Sequence, residues 1–127
     1  MISVGIVGAS GYTGEELTKI LLKHPEVKIE ALTSNSHVGK KVNDIFNLNQ
    51  KIEQVFIESN TENLSQCDLV FFATPNGIAM NMVEELVKKN IRVIDISADF
   101  RIASQEVWEK WYQMKHLSPS LLDSAVY

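Results

Sequence analysis

Three regularly spaced glycines near the start of the chain indicate a place where the backbone can hold a phosphate group. The absence of a Cβ serves a different purpose at each of the three positions, Gly8, Gly11 and Gly14. The first permits a sharp turn, the second lets a diphosphate approach backbone N–H groups, and the third lets a helix pack closely on the preceding strand. The start of that helix favours an anion, because its first amides are unpaired and its dipole is positive there. We therefore predict that this loop binds the diphosphate of a dinucleotide through Gly8, Ser10, Gly11, Tyr12, Thr13 and Gly14.

The spacing of these glycines, G-x-x-G-x-x-G, differs from the G-x-G-x-x-G pattern of many dinucleotide sites. A glycine triplet alone is weak evidence, since glycines also serve turn geometry without any ligand. The flanking residues favour binding. A compact apolar run over residues 2–7 predicts a buried strand, and apolar residues at helical spacing over residues 13–23 predict a helix. A strand before the loop and a helix after it form the context that binding requires.

A polar stretch after the second predicted strand bears on which dinucleotide binds. Sites for NAD place an acidic residue about 20 residues beyond the loop, where it accepts a hydrogen bond from the ribose 2′-OH. Here that place holds Thr33-Ser34-Asn35-Ser36, and Glu30 lies earlier, within the strand. Hydroxyl and amide groups, with Lys40 and Lys41 nearby, suit a 2′-phosphate better than a bare hydroxyl. We predict NADP, contacted by Ser34, Asn35 and Ser36; the alternative is that this stretch is only a solvated polar loop.

The rest of the pattern predicts the elements that must position these residues. Apolar, β-branched runs predict strands at residues 2–7, 27–33, 54–58, 69–73 and 91–96. Helical periodicity predicts helices at residues 13–23, 78–89 and 104–114. Continuous apolar strands imply a parallel sheet covered on both faces, with ligands at the carboxyl ends of the strands. We therefore predict an α/β fold: a Rossmann-type, doubly wound, mostly parallel sheet in a single domain, residues 1–127, with a polar loop at 34–50.

Three further expectations concern single elements. The last strand, residues 91–96, reads as buried, and in the last helix Val107, Trp108 and Trp111 fall on one side. Asn90 is a plausible C′ residue for the helix before that strand. The tryptophan side chains fit packing better than a ligand pocket.

Composition excludes several classes of protein. The 127 residues carry a formal charge of −4 with no basic tract, which argues against a general nucleic-acid binder. No apolar run approaches the roughly 20 residues needed to cross a membrane, and the N-terminus lacks the features of a secretory signal. Cys67 is the single cysteine, so neither an intramolecular disulfide nor a cysteine-based zinc site is predicted. A reducing, cytoplasmic setting is expected.

Three segments together resemble the N-acetyl-γ-glutamyl-phosphate reductase family. They are residues 4–17, which include the glycines, then Ala73-Thr74-Pro75-Asn76-Gly77, then Asp95-Ile96-Ser97-Ala98-Asp99-Phe100-Arg101. The later Trp108-Glu109-Lys110-Trp111-Tyr112, His116 and Ala125-Val126-Tyr127 fit the same family. The resemblance implies an NADPH-dependent, homo-oligomeric enzyme that reduces N-acetylglutamyl phosphate to N-acetylglutamate semialdehyde in arginine biosynthesis.

The same resemblance implies roles for residues that follow the later strands. Thr74, Pro75 and Gly77 would bind the cofactor by shaping the nicotinamide pocket. Ser97, Asp99 and Arg101 would bind substrate, since an arginine can hold a carboxylate or phosphate as a bidentate fork. The alternative for the last two is an Asp–Arg pair that holds the turn. Asn76 departs from the family, which often has histidine there, so no ring-stacking or proton role is predicted for it.

The resemblance also implies that this chain is the cofactor part of a longer enzyme, truncated before the catalytic domain. The family's catalytic cysteine and histidine lie beyond the position of Tyr127, and Cys67 precedes a central strand, where we expect a buried, inert thiol. We therefore expect the chain alone to be inactive. Three alternatives remain open: aspartate-semialdehyde dehydrogenase, the related reductase of lysine biosynthesis, and a free-standing NADP-sensing module.

Overall fold

Four parallel strands form one sheet in a computed structural model that describes all residues, 1–127. In chain order the elements are β1 (Ile2–Val7), α1 (Tyr12–Leu22), β2 (Val27–Thr33), α2 (Val42–Ile45), β3 (Leu69–Phe72), α3 (Ala79–Lys88), β4 (Arg92–Asp95), α4 (Gln105–Tyr112) and a final 3₁₀ turn, Pro119–Leu121. None of the helices is long and apolar enough to cross a membrane.

The order of the strands across the sheet creates a crevice at one point. The order is β2-β1-β3-β4, and every neighbouring pair is parallel. From β1 the chain first crosses to one side, to β2, and later returns to the other side, to β3 and β4. The direction therefore reverses between β1 and β3, and in open α/β sheets ligands bind beyond the carboxyl ends of the two strands at such a point. The predicted doubly wound, parallel α/β fold is confirmed.

Both faces of the sheet are covered, as continuous apolar strands require. On one face Val70 and Phe72 of β3 pack with Val83 and Leu86 of α3. A second cluster covers the opposite face, and its buried members are Val4, Ile6, Ala9, Leu21, Ile29, Leu32, Val42, Phe46 and Phe56. Successive strand residues alternate between the two clusters because side chains in a strand point to opposite faces.

The predicted strand at residues 54–58 is wrong: this segment makes only isolated bridges, Thr33–Ile57 and Lys41–Val55. Its backbone divides its hydrogen bonds between two partners. The Ile57 amide donates to the Leu32 carbonyl at 3.1 Å, whereas the Phe56 amide donates to the Lys40 carbonyl at 2.9 Å. Residues 54–58 therefore cannot form a continuous β-ladder with one neighbouring strand, although Phe56 itself is buried in the core.

Two expectations about the C-terminal elements also fail. β4 is an edge strand rather than a buried one, and its Ile94 is 46% exposed. In α4 only Trp108 is buried, while Trp111 is 74% exposed, so the aromatic side chains do not share one packed face. Two other local predictions are confirmed. The helix expected from residue 104 is present, with the Ser104 hydroxyl accepting from the Val107 amide at its start, and Asn90 after α3 has φ of 60°.

The contact between α1 and the end of β1 depends on Gly14. A Cβ at this position would overlap the backbone of Ala9, including its carbonyl oxygen. We expect Gly14→Ala to lower the free energy of unfolding by about 1–3 kcal/mol, the usual cost of forcing an extra methyl into a packed interior. Urea denaturation measures this quantity directly.

The matched control is Gly11→Ala. Its Cβ would lie 3.8 Å from the nearest atom, so it should cost less than about 1 kcal/mol. Equal losses in the two variants would contradict the steric explanation.

Candidate dinucleotide-binding site

The glycine loop, residues 8–14, connects β1 to α1 at the point where the strand order reverses. Gly8 has φ of 74°, and a Cβ there would lie 2.7 Å from the Ala73 carbonyl oxygen. Only glycine therefore allows the ends of β1 and β3 to approach so closely. The Ala9 amide donates to the Thr33 carbonyl at 2.9 Å, which also ties the loop to the end of β2.

The N-terminus of α1 presents backbone amides that nothing in the chain uses. Gly11 is the N-cap residue and gives no side-chain cap. Among the hydrogen bonds of the chain, none has the amide of Tyr12, Thr13 or Gly14 as donor; the first is made by Glu15, to the Gly11 carbonyl. The side chains of Tyr12 and Thr13 are exposed and leave the position open. Unpaired amides and the positive end of the helix dipole fit an anion such as a diphosphate.

A line of hydroxyl groups joins the glycine loop to the serine loop, residues 34–37, after β2. The hydroxyls of Ser10 and Ser34 are 2.7 Å apart, and those of Ser34 and Ser36 are 3.2 Å apart. Ser34 is buried, whereas Ser36 and Asn35 are exposed. The Asn35 side-chain carbonyl accepts from the Ser59 amide at 3.0 Å. Ser34 thus links the two loops, while Ser36 faces outward, on the same stretch of chain as the exposed Lys40.

Beyond β3, residues 74–77 form a turn, here called the proline turn, that lies against the glycine loop. The Thr74 methyl group would be 2.7 Å from a Cβ on Gly8. The Thr74 hydroxyl is buried and has no hydrogen-bond partner in the chain. Pro75 is exposed, and Gly77 has φ of 98°. The proline turn therefore offers one unused polar group beside the crevice.

The Asp99 loop, residues 95–101, holds the proline turn in place. The Asp99 carboxylate is fully buried and accepts from the Gly77 amide at 2.8 Å and the Met80 amide at 3.0 Å. The Asn76 side chain accepts from the Ala98 amide at 3.0 Å. A carboxylate suits this position because it caps unpaired amides at the start of α3. The role that this structure gives Asp99 is to position the turn, and its predicted contact with substrate stays a prediction.

Arg101 and Ser97 lie differently from Asp99. Arg101 is exposed and forms no ion pair with Asp99, so the alternative of an Asp–Arg pair holding the turn is wrong. Its guanidinium lies 5.6 Å from the centre of the Tyr127 ring. The Ser97 hydroxyl donates to Asp95 at 2.9 Å. Arg101 thus remains available to an anionic ligand at this edge of the sheet.

Comparison with known proteins identifies the family. The model of the semialdehyde dehydrogenase NAD-binding domain matches residues 3–125. The chain belongs to this family. The glycine loop and the crevice beside it therefore lie in a semialdehyde dehydrogenase NAD-binding domain.

Individual relatives of this NAD-binding domain agree with the resemblance drawn from the sequence. The chain is 52% identical over its whole length to an N-acetyl-gamma-glutamyl-phosphate reductase of Nitrosospira multiformis, and 49% identical to that of Cellvibrio japonicus. It spans 37% of the length of each. Among solved structures, aspartate semialdehyde dehydrogenase with NADP from Candida albicans superimposes with a TM-score of 0.70 at 27% identity, covering 83% of this chain and 32% of that one.

The sequence did not predict the contacts of four side chains in this NAD-binding domain: Asn76, Asp95, Trp108 and His116. All four make hydrogen bonds in or to the Asp99 loop. The sequence signals were the family-like segments that contain these residues, and around Asp99 they indicated substrate binding rather than a structural role. Cys67, in contrast, is buried before β3 as expected, and burial, together with the charges of Glu30 and Asp68, raises its pKa to about 11.

Burial also raises the pKa of Asp95 above its ordinary value of 3.8, and hydrogen bonds from Ser97 only partly oppose this. The folded chain therefore binds this proton more tightly than the unfolded chain does. The contribution of Asp95 to stability is fully present below the unfolded pKa and is lost as the pH rises through the folded pKa. Asp95→Asn removes this loss while it keeps an acceptor for the Ser97 amide.

We expect the stability of Asp95→Asn relative to wild type to increase as the pH rises from about 4 to about 7. Urea unfolding at several pH values measures the difference. Asp123→Asn, in the exposed C-terminal segment, is the control and should parallel the wild type. Parallel curves for Asp95→Asn and wild type would show that burial does not shift this carboxyl group.

Proposed function

We propose that this chain is the NADP-binding part of an N-acetyl-gamma-glutamyl-phosphate reductase. The whole enzyme would be a cytoplasmic homo-oligomer of the arginine pathway that uses NADPH to reduce N-acetylglutamyl 5-phosphate to N-acetylglutamate 5-semialdehyde. Identity of 52% over the whole chain to a relative of that name supports the assignment. The segment Ser97–Arg101 favours the same family, because glycine loops alone are shared by many oxidoreductases.

The observation that carries the cofactor proposal is the set of unused amides at the start of α1. The amides of Tyr12, Thr13 and Gly14 donate to no acceptor in the chain, and Tyr12 and Thr13 are exposed at the strand-order reversal. Gly11 leaves space there, because a Cβ on it would meet nothing closer than 3.8 Å. A diphosphate supplies the negative charge and the acceptor oxygens that this position lacks.

The serine loop supports NADP over NAD. No acidic residue occupies the end of β2, where an NAD site has a carboxylate for the ribose 2′-OH. Ser36 and Asn35 are exposed there, and the exposed Lys40 and Lys41 add positive charge to the same segment. Hydroxyl, amide and ammonium donors suit a phosphate group, which accepts hydrogen bonds and carries negative charge.

The second half of the site would serve the nicotinamide and the substrate. A dinucleotide whose diphosphate lies on α1 and whose adenosine lies over β2 extends its other half across the reversal toward β3 and β4. Thr74, Pro75 and Gly77 then face the nicotinamide side, and the Thr74 hydroxyl finds a partner. Arg101 would hold an anionic group of the substrate, and NADPH supplies the hydride.

The chain itself would bind the cofactor without turnover. Reduction of an acyl phosphate by this family requires a cysteine thiolate, and Cys67 is buried at the amino end of β3, away from the crevice. Its raised pKa keeps it protonated at neutral pH. Phosphate-dependent reduction of NADP by the pure chain, with N-acetylglutamate semialdehyde as substrate, would contradict this proposal.

A second candidate is aspartate semialdehyde dehydrogenase, favoured by the structural similarity to the Candida albicans enzyme at a TM-score of 0.70. The two candidates share the cofactor and differ in the acyl phosphate. A hybrid protein that joins residues 1–127 to the remainder of the Nitrosospira multiformis relative separates the two candidates. It is expressed in bacterial strains that lack one or the other enzyme, and growth is measured. Growth without arginine supports the first candidate, and failure of a soluble hybrid to restore it counts against the assignment.

We expect titration calorimetry to detect NADPH binding to the isolated chain and weaker binding of NADH. Ligand concentrations up to about 1 mM are sufficient for weak sites, because a dissociation constant of about 1 mM corresponds to a binding free energy of about −4 kcal/mol. Absence of heat with NADPH over this range would contradict the proposed site.

Asn35→Asp tests which group recognises the 2′-phosphate. The substitution keeps the acceptor for the Ser59 amide but places a negative charge beside the proposed phosphate. We expect about tenfold weaker NADPH binding, which is about 1.4 kcal/mol of repulsion, with little change for NADH.

The matched control is Asn49→Asp, which adds the same charge beside Lys23, near the opposite end of α1. It should leave both affinities unchanged. Equal losses of NADPH and NADH affinity in Asn35→Asp would show that the serine loop does not read the phosphate.

A further inference from the structure

The side chain of His116 is buried against the Asp99 loop and has both ring nitrogens engaged. Its Nε2 lies 2.7 Å from the Asp99 carbonyl oxygen, and its Nδ1 lies 3.1 Å from the Ser118 amide. A carbonyl can only accept and an amide can only donate, so these partners assign the neutral ring with its proton on Nε2. The rings of Trp108 and Phe100 meet it edge to face at 4.7 and 5.3 Å.

The backbone N–H and C=O groups of Ala98 and Asp99 all make hydrogen bonds. Trp108 donates its indole N–H to the Ala98 carbonyl at 2.8 Å, and the Ala98 amide donates to Asn76 at 3.0 Å. The Asp99 carbonyl accepts from His116, and the Asp99 amide lies 3.3 Å from the Ser97 hydroxyl. Trp108 and Ser97 thus hold the peptide before the Asp99 Cα, and His116 holds the carbonyl after it, so the direction of the Asp99 carboxylate is set.

That direction determines the conformation of the proline turn. The Asp99 carboxylate is the only partner of the Gly77 and Met80 amides, so both amides keep their positions through Asp99. Gly77 has φ of 98°, a value that glycine reaches as readily as many others, so the residue itself does not fix the turn. The Ser118 hydroxyl donates to the Met80 carbonyl, which adds a second link from the His116 segment to the start of α3.

We propose that His116 is a positioning residue for the nicotinamide half of the cofactor site. It acts through Asp99: the imidazole holds the Asp99 peptide, Asp99 holds the proline turn, and the turn presents Thr74 and Gly77 to the cofactor. The proposal rests on the proposed function, because it assigns the proline turn to the nicotinamide side. The adenosine half, on the serine loop, makes no contact with this network of hydrogen bonds.

Two substitutions of His116 separate its two hydrogen bonds. Asparagine places an amide near the Nδ1 position, which preserves the bond from the Ser118 amide but does not reach Asp99. Glutamine places an amide nitrogen near the Nε2 position, which preserves the bond to the Asp99 carbonyl. Calorimetry measures the affinity for NADPH, which contacts both halves of the site, and for adenosine 2′,5′-bisphosphate, which lacks the nicotinamide half and contacts only the adenosine half.

We expect His116→Asn to weaken NADPH binding on the order of tenfold, because such losses are typical when a residue that orients a binding residue is removed. The affinity for the bisphosphate should stay within about twofold of wild type. His116→Gln should restore NADPH affinity to within about threefold of wild type. Trp108→Phe, which keeps the ring packing but removes the bond to the Ala98 carbonyl, should show the same selective loss if His116→Asn does not fold.

Other results overturn the proposal. Equal weakening of NADPH and the bisphosphate would mean that His116 only supports the fold, and unchanged NADPH affinity in a folded His116→Asn would mean that the proline turn does not depend on it. A wild-type chain that binds neither ligand refutes the proposed function itself. Wild-type binding of both ligands with no selective loss in any variant refutes only the role of His116.

Discussion

The unpaired amides at the start of α1 are the constraint on which the rest of the structure depends. They are useful only if the helix begins directly after the strand and its first turn faces the reversal in strand order. Gly8 permits the turn, and Gly14 allows the helix backbone to rest against Ala9. The hydrogen bond from the Ala9 amide to the Thr33 carbonyl then fixes the loop to β2. A polar N-terminus without an internal cap is costly, and a bound anion offsets that cost.

Much of this arrangement follows from local sequence. β1 and β2 were predictable to the residue, because continuous apolar runs bounded by glycine, proline and polar residues mark buried strands. The glycine loop was predictable because its context of strand and helix is itself local. The parallel order followed from alternating strands and helices, since crossovers of that length favour right-handed βαβ units.

What local sequence did not reveal depends on partners far along the chain. His116 is 17 positions from Asp99, and Trp108 is 10 positions from Ala98. The residues of each pair lie in different segments of the chain, so no helical or strand period joins them. The exposure of Ile94 was equally hidden, because a run of apolar residues has the same appearance in a central and in an edge strand. The segment around Phe56 failed for a related reason: its residues favour a strand, but their hydrogen-bond partners are divided.

The bond between the hydroxyls of Ser10 and Ser34 has a consequence for coenzyme engineering. In the proposed site the glycine loop holds the diphosphate and the serine loop holds the ribose, and this bond joins the two loops. A replacement of Ser34 made to alter coenzyme preference would then also loosen the proposed diphosphate contact. Selectivity and total affinity are thus tied at that one position. The exposed Ser36 bonds to Ser34 but not to the glycine loop, so a replacement there would disturb the diphosphate side less than one at the residue two positions earlier.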